Sequence, residues 1–485
     1  MIKWGISANS HDAALAVLKN NEIVFASHAE RFSGVKNDAH LNSSIVDYAR
    51  EFGEPESVYW YEKPIQKSIR QLRAGQGFRF RENNVKQYLS CFDITAPVSY
   101  KQHHKSHAAA GYYTSPYTDA VIICIDAIGE WQTLSIWEGR GNELTEIFSQ
   151  SYPHSVGLWY SAMTQRIGLN PNEDEYILMG MAAYGDPIRL RADVKRDFFK
   201  TFPSRDWPAT RLKHNLHRGC SWWRPDLQSE QDLFDIAAAT QSVYEEFFER
   251  LLESVRHFVP HRNLVLTGGC ALNCAANSQA YRYFDSVWIM PNPGDAGNAL
   301  GAVLDDFTEW KGPYLGYEIA GEYPVEKLIH ELDNVGIVGV ANGKAEYGPR
   351  ALGNRSLLAD PRGKDVKDQV NRIKHRQQFR PFAPAILKEH ADTYFAGITG
   401  PYMQYTAVCR YPEQFPAIVH HDGTSRVQTV SKQDNPKFRQ LLETWYEQTG
   451  CPMLLNTSLN IKGKPIVNTE QDAAAFEKQY GVEVW

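Results

Sequence analysis

Two histidines and two aspartates, far apart in the chain, are the residues best suited to hold a cation. His103 and His107 stand four apart in HHKSHAAA, a stretch whose alanines favour a helix, so both imidazoles share one face and can grip one ion. Two solvated histidines on a helix surface would show the same spacing. Asp126 ends the apolar run AVIICID, which has the character of a strand buried on both faces. Its carboxylate therefore projects from the carboxyl edge of a sheet, where open α/β folds place ligands. Asp295 lies at a helix start in NPGDAG. Two imidazoles and two carboxylates suit a first-row divalent ion with positions left open for a ligand. The turn TGGCALN, with Gly268, Gly269 and Asn273, could offer backbone N–H groups to a phosphate, although glycine turns mostly just turn.

A different chemistry gathers further on. EYGPRALGNRS (346–356) packs Arg350 and Arg355 with glycines, an amide and a hydroxyl. Lys374, Arg376 and Arg380 follow in IKHRQQFRPFAP, which contains no acid, and then Arg426 in SRVQTV and Ser458 in LLNTSLN. Guanidinium and ammonium groups at this density suit a di- or triphosphate. A solvated basic surface is the alternative. The interleaved Phe379, Pro381, Phe382 and Pro384 argue against it, because they draw the segment toward a core.

The elements that must position these groups are those of an α/β protein. Ile2–Ser7, Ala13–Leu18 and Ile23–Ser27 read as three strands, with Asn20-Asn21 as a hairpin turn. Leu264–Thr267 runs into the glycine turn, and Ala299–Phe307 is helical in pattern. The stretch around Gly312 to Glu322, rich in Gly, Pro and Tyr, reads as a linker, with a second α/β unit from Val325. No internal repeat of solenoid period is present.

With 485 residues the chain predicts two or three domains. A net charge of −6 excludes a chain basic overall and leaves room for a local basic face. The seven cysteines form no C-x-x-C pair, which argues against a disulfide framework or zinc ribbon and for a reducing compartment. MIKWGIS lacks the layout of a signal peptide, and no apolar run reaches the roughly 18 residues of a membrane span. A cytoplasmic protein with no membrane partner is expected.

Two segments are locally basic with aromatic residues interleaved. Residues 63–86 carry seven cations against Glu82, and residues 189–224 carry ten against three acids. Grooves of this kind suit single-stranded or flipped-base nucleic acid, and solvated charged faces would read the same way.

Taken together, NSHDAALAVL with AERFSG, HHKSHAAAGYY, DAIGEWQT, EYILMGMAAYG, TGGCALNC, NPGDAGNALGA, EYGPRALGNRSLLADPR, IKHRQQFRPFAP, SRVQTV and LLNTSLNIKGKPIV resemble, in this order and over nearly the whole chain, the NodU/CmcH/TobZ carbamoyltransferase family. The resemblance implies an actin/sugar-kinase-like (TsaD-like) domain over 1–315 and a YrdC-like α/β domain over 316–485. It implies that the second makes carbamoyladenylate from carbamoyl phosphate and ATP, with Mg accompanying ATP. The first would hold a divalent metal, iron in relatives, and pass the carbamoyl group to a hydroxyl. By the match, His103, His107, Asp126 and Asp295 take the metal, and Arg350, Lys374, Arg380, Arg426 and Ser458 line the adenylation cleft. His11 falls where relatives place a residue acting on the adenylate, and its near-neutral reference pKa suits taking the acceptor proton. Asp235 in LFDIAAATQ is a weaker candidate for the same work. One departure is Ile177, where the family commonly carries lysine.

Some short members of the family are thought to modify hydroxymethylated cytosine in DNA. The expected acceptor is therefore 5-hydroxymethylcytosine in DNA or a nucleotide, with a small-molecule hydroxyl (aminoglycoside or lipo-oligosaccharide) as the alternative. A homodimer is a further expectation. Among rivals, a stand-alone tRNA threonylcarbamoyl-transfer protein would lack the arginine-rich carboxyl half. A hydrogenase-maturation relative would carry C-x-x-C pairs, and a sugar kinase would need no carbamoyl phosphate.

Overall fold

Asn20 and Asn21 both take positive φ, 53° and 66°, the conformation a tight two-residue hairpin turn needs. They join β2 (Ala14–Lys19) to β3 (Glu22–His28), and β2 runs back antiparallel along β1 (Ile2–Ser7). β4 (Ser57–Trp60) and β5 (Val98–Tyr100) extend the sheet in parallel on the other side, giving the order β3-β2-β1-β4-β5. The computed structural model, which describes residues 1–485, repeats this plan in a second sheet. There β6 (Asp119–Ile125), β7 (Gln132–Arg140) and β8 (Glu143–Ser151) are antiparallel, and β9 (Asn263–Thr267) and β10 (Ser286–Ile289) add in parallel, in the order β10-β9-β6-β7-β8. Three antiparallel strands flanked by two parallel ones, twice over, make this part actin/sugar-kinase-like. The duplication lies in strand order and not in residue identity, so no sequence repeat announces it.

Four helices position the groups that carry charge or chemistry: α1 (Pro64–Arg73), α2 (His103–Tyr113), α3 (Pro187–Phe198) and α4 (Glu230–Phe258). The helical pattern expected over Ala299–Phe307 stops at Val303, because Leu304 turns extended (φ −82°, ψ 121°).

The chain divides into two compact units. One is Met1–Val24 with Ala49–Trp310, and the other is Phe25–Tyr48 with Lys311–Trp485. Residues 25–48, which a single cut at 315/316 counts with the amino-terminal part, thus belong to the second unit. That unit is α/β as well. Its main sheet uses β11 (Ile337–Ala341), β12 (Arg355–Ala359), β13 (Ala383–Leu387), β14 (Gln428–Val430) and β15 (Met453–Ser458) in the order β11-β12-β15-β13-β14. The expected linker is a correction: Tyr314–Ile319 is a strand paired antiparallel with Gly343–Glu346. Its Gly and Pro content suggested a break, yet Leu315 and Ile319 are buried and the Tyr317 ring packs on Tyr48 at 4.9 Å.

No helix is long and apolar enough to cross a membrane.

Candidate functional site

β6 is buried along its length after Asp119 and ends at Ile125, so the next side chain, Asp126, emerges at the carboxyl edge of the sheet. α2 begins at His103, and one helical turn places His107 on the same face, with ring centroids 4.9 Å apart. Asp295 arrives on the turn after β10. The four side chains are buried, and one ligand atom from each lies within 4.8 Å of all the others. His103 Nε2 faces His107 Nε2 at 3.1 Å, Asp126 Oδ2 at 3.2 Å and Asp295 Oδ1 at 3.3 Å. His107 Nε2 lies 3.3 Å from the same Asp295 oxygen. Two ring nitrogens aimed at each other and at two carboxylate oxygens converge lone pairs on one point, and this donor set fits a divalent cation. Burial works against the charge of Asp295, but the His103 and His11 rings outweigh it and hold its carboxyl well below the usual range.

The supports of this cluster include residues that sequence reasoning passed over. Gln102 does not cap α2 with its side chain. Glu130, 2% exposed, does so instead: its two oxygens accept from His103 N at 3.1 Å each, and one also accepts from Lys63 N at 2.7 Å. Glu130 sits inside the DAIGEWQT motif, and that was its only signal. Asn298 Nδ2 lies 3.0 Å from His107 Nε2, and Gly269 N donates to Asp126 Oδ1 at 3.2 Å. We expect Glu130→Ala to lower stability by about 1–3 kcal/mol, since a buried N–H loses its acceptor. Activity should fall roughly 10- to 100-fold as the histidines lose their aim. Thermal unfolding beside initial rates checks both, and Glu130→Gln should recover part of each.

His11 joins the cluster: its Nε2 is 3.5 Å from Asp295 Oδ2 and its Nδ1 3.1 Å from Asp12 Oδ2. Asn9 and Asp12 on either side take positive φ, 62° and 58°, so the loop bends sharply around it. The ring is 42% exposed, and what burial it has opposes protonation; Asp295 and then Asp12 outweigh that and push its pKa up.

Asp235 has no contact with this group. Its carboxylate accepts from Asp186 N at 2.8 Å and Arg189 Nη1 at 2.6 Å, fastening the start of α3 to α4. Asp235→Asn should therefore cost about 1–3 kcal/mol of stability and leave the turnover of folded enzyme within a few-fold, as measured on samples normalised for folded fraction.

The glycine turn does less for phosphate than its sequence offers. Gly269 N is spent on Asp126. Gly268 has φ 85°, and a Cβ there would meet Ile125 O at 2.3 Å. Asn273 exchanges amide hydrogen bonds with Gln241, 3.0 Å each way, and caps the following turn. Ile177 is buried, so the lysine common in the family would need a different environment.

In the second unit, Lys374 and Ser458 come together. Buried Lys374 Nζ donates to Ser458 O, to Ser458 Oγ at 3.3 Å and to Asn460 O and Oδ1 at 2.9 Å. Burial, then the cations of Arg376 and Arg380, hold its pKa well below the ordinary lysine value. Arg426 is half-buried, with its Nε buried and without a hydrogen-bond partner. Arg350 is half-buried on the loop after Glu346. Arg355 differs: it is 0% exposed, and its guanidinium donates only to backbone carbonyls, those of Tyr317, Asn342, Gly343, Asn354 and Asn468. Glu346 Oε1 ties the same loop by accepting from Leu352 N, Asn354 N and Arg355 N. Arg31, from the 25–48 segment, is buried and donates to Gly348 O at 3.0 Å.

Half of the ten cations of the basic segment 189–224 are ion-paired. Arg189 pairs with Asp232 and Asp235, Arg191 and Lys195 with Glu246, Arg196 with Asp193 and Asp197, and Arg224 with Asp193 and Asp226. Asp232, Asp235 and Glu246 lie on α4, outside that stretch. Phe198, Phe199 and Trp223 are buried.

Comparison with known proteins gives two family matches: residues 47–304 to the carbamoyltransferase N-terminus and residues 329–485 to the carbamoyltransferase C-terminus. Nodulation protein U of Rhizobium tropici is 37% identical, over 94% of this chain and 90% of its own length. The 3'-hydroxymethylcephem-O-carbamoyltransferase of Amycolatopsis lactamdurans is 27% identical, over 97% of this chain and 95% of its own. Among solved structures, HypF of T. kodakarensis matches 62% of this chain and 47% of that one, with 11% identity and a TM-score of 0.35.

Proposed function

This chain belongs to the carbamoyltransferase family, and on that premise we propose that its second unit makes carbamoyladenylate from carbamoyl phosphate, ATP and water, releasing phosphate and pyrophosphate, while its first passes the carbamoyl group to an acceptor hydroxyl and releases AMP. The observation that carries this reading is the buried convergence of His103, His107, Asp126 and Asp295, with His11 at its edge. Lys374, Ser458 and the neighbouring arginines supply the anion-binding chemistry of the first half-reaction.

A carbamoyl carbon is a poor electrophile because its nitrogen donates into the carbonyl. Joining it to adenylate supplies a better leaving group and a larger handle for binding energy. A divalent cation on the four ligands, iron by family resemblance, would supply Lewis-acid neutralisation of the departing phosphate. His11 can take the acceptor proton only as the neutral imidazole, a form it would reach once a bound cation offsets the Asp295 charge that raises its pKa, and holding hydroxyl and carbonyl together supplies much of the remaining rate.

For the acceptor, a small-molecule hydroxyl has the better support, because internal ion pairs spend half of the cations that a polynucleotide would use along 189–224. The hydroxymethyl group of 5-hydroxymethylcytosine in DNA or a nucleotide is the second reading, favoured by the exposed cations of 63–86. Pyrophosphate release from ATP that requires carbamoyl phosphate, together with an acceptor product heavier by about 43 mass units (HNCO added, for this reaction class), tests the transferase. Absence of both overturns it. Acceptor affinity that falls steeply with salt would favour DNA, and a flat response removes it.

A further inference from the structure

Helix α1 carries its polarity the wrong way round. A surface helix ordinarily buries its apolar stripe and shows its charges to water. Here Lys67, Ser68, Arg70 and Gln71 face inward, each at most 9% exposed, while Ile65, Ile69 and Leu72 are 68%, 38% and 49% exposed. These three sit at i, i+4 and i+7, which makes one continuous stripe. The inward polar face is satisfied within the first unit. Lys67 Nζ donates to Glu62 Oε1 at 2.6 Å and Asn9 O at 2.8 Å, Arg70 Nε donates to Glu130 O at 3.2 Å, and Asn83 Nδ2 bridges Ser68 and Gln71. The inversion is therefore built in, and it leaves an aliphatic face in water. In the loop beyond the helix Phe78 is also bare, 76% exposed with its ring 4.7 Å from Phe80. Lys63, Arg73, Arg79, Arg81 and Lys86 are exposed along the same stretch of chain, 63–86, with Glu82 the one acid in it.

We propose that this face docks on an anionic lipid surface, with Ile65, Ile69, Leu72 and Phe78 entering the boundary between headgroups and acyl chains and the cations meeting lipid phosphates. Aliphatic side chains gain by leaving water for hydrocarbon, which a polynucleotide does not offer. A second copy of the chain is disfavoured by charge: a two-fold interface sets a patch against itself, so these cations would oppose their own duplicates. Docking is peripheral, since no helix is suited to span a bilayer. It is compatible with a small-molecule acceptor and competes with the DNA reading for the exposed cations of 63–86.

Co-sedimentation with vesicles tests it, using phosphatidylcholine alone and phosphatidylcholine with about a quarter phosphatidylglycerol. The full chain should pellet with the anionic vesicles and stay in solution with the neutral ones. The variant Ile65→Ser, Ile69→Ser, Leu72→Ser should partition about tenfold more weakly or worse, with pyrophosphate release dependent on carbamoyl phosphate unchanged. Absence of binding to the anionic vesicles, or equal binding by the variant, overturns the proposal. So does a wild-type dimer in sedimentation velocity that the variant dissolves, which would give the face to a second copy. Should the release assay fail in the wild type while vesicle binding holds, the carbamoyl reading falls and the docking face stands.

Discussion

Replacing Asp295 by alanine should abolish carbamoyl transfer while pyrophosphate release dependent on carbamoyl phosphate continues. Asp295 is the most shared member of the cluster: one oxygen lies 3.3 Å from both His103 Nε2 and His107 Nε2, and the other 3.5 Å from His11 Nε2. Alanine removes a candidate ligand, a countercharge for three imidazoles and the partner that orients His11. A cation that stabilises a departing phosphate by several kcal/mol accounts for a loss of about a thousandfold or more. Metal content by elemental analysis should fall with activity. Asp295→Asn keeps the shape and half the lone pairs, and should land between wild type and alanine. The split between half-reactions is the informative readout, because a misfolded chain would lose both. Normal turnover by Asp295→Ala in chelated buffer would remove the metal reading and the transfer assignment with it.

Legibility in the sequence depends on the range over which each signal acts. The four side chains of the cluster could be found because each sits on a local pattern with its own logic: helical spacing for His103 and His107, an apolar strand ending in Asp126, a glycine turn before Asp295. The Asn20-Asn21 hairpin was readable for the same reason, since two positive φ values are a property of two residues. Pairings set by tertiary placement were not. Glu130 reaches back across 27 residues to cap α2, and nothing near Gln102 says that the cap is borrowed. The charge count over 189–224 could not show its own pairing, because several of the carboxylates that neutralise it stand on α4. The strand Tyr314–Ile319 was hidden by its own glycine and by Pro313 beside it. The excursion of residues 25–48 into the second unit has no compositional mark at either end.

Arg355 shows how residue type can point to the wrong physics, and it yields the second large effect. In EYGPRALGNRS it reads as an anion ligand beside Arg350. In the fold it lies at the first position of β12, fully buried, and fastens four separate backbone segments through the carbonyls of Tyr317, Asn342 with Gly343, Asn354 and Asn468. Burial pulls its pKa down to about 10, with Glu346 opposing, and the side chain keeps no free face for a phosphate. Arg355→Ala should leave those buried carbonyls unpaired around a cavity, a loss on the order of 3–5 kcal/mol. For a unit of this size that lowers the melting temperature by about 10 °C. Arg355→Lys should recover little, because a single ammonium cannot reproduce a planar fork that serves several acceptors. Lys374→Met, by contrast, should weaken pyrophosphate release far more than it lowers melting. If Arg355→Ala instead melted like wild type and lost only its affinity for ATP, the residue would be a ligand after all, and the carbonyl contacts would be incidental.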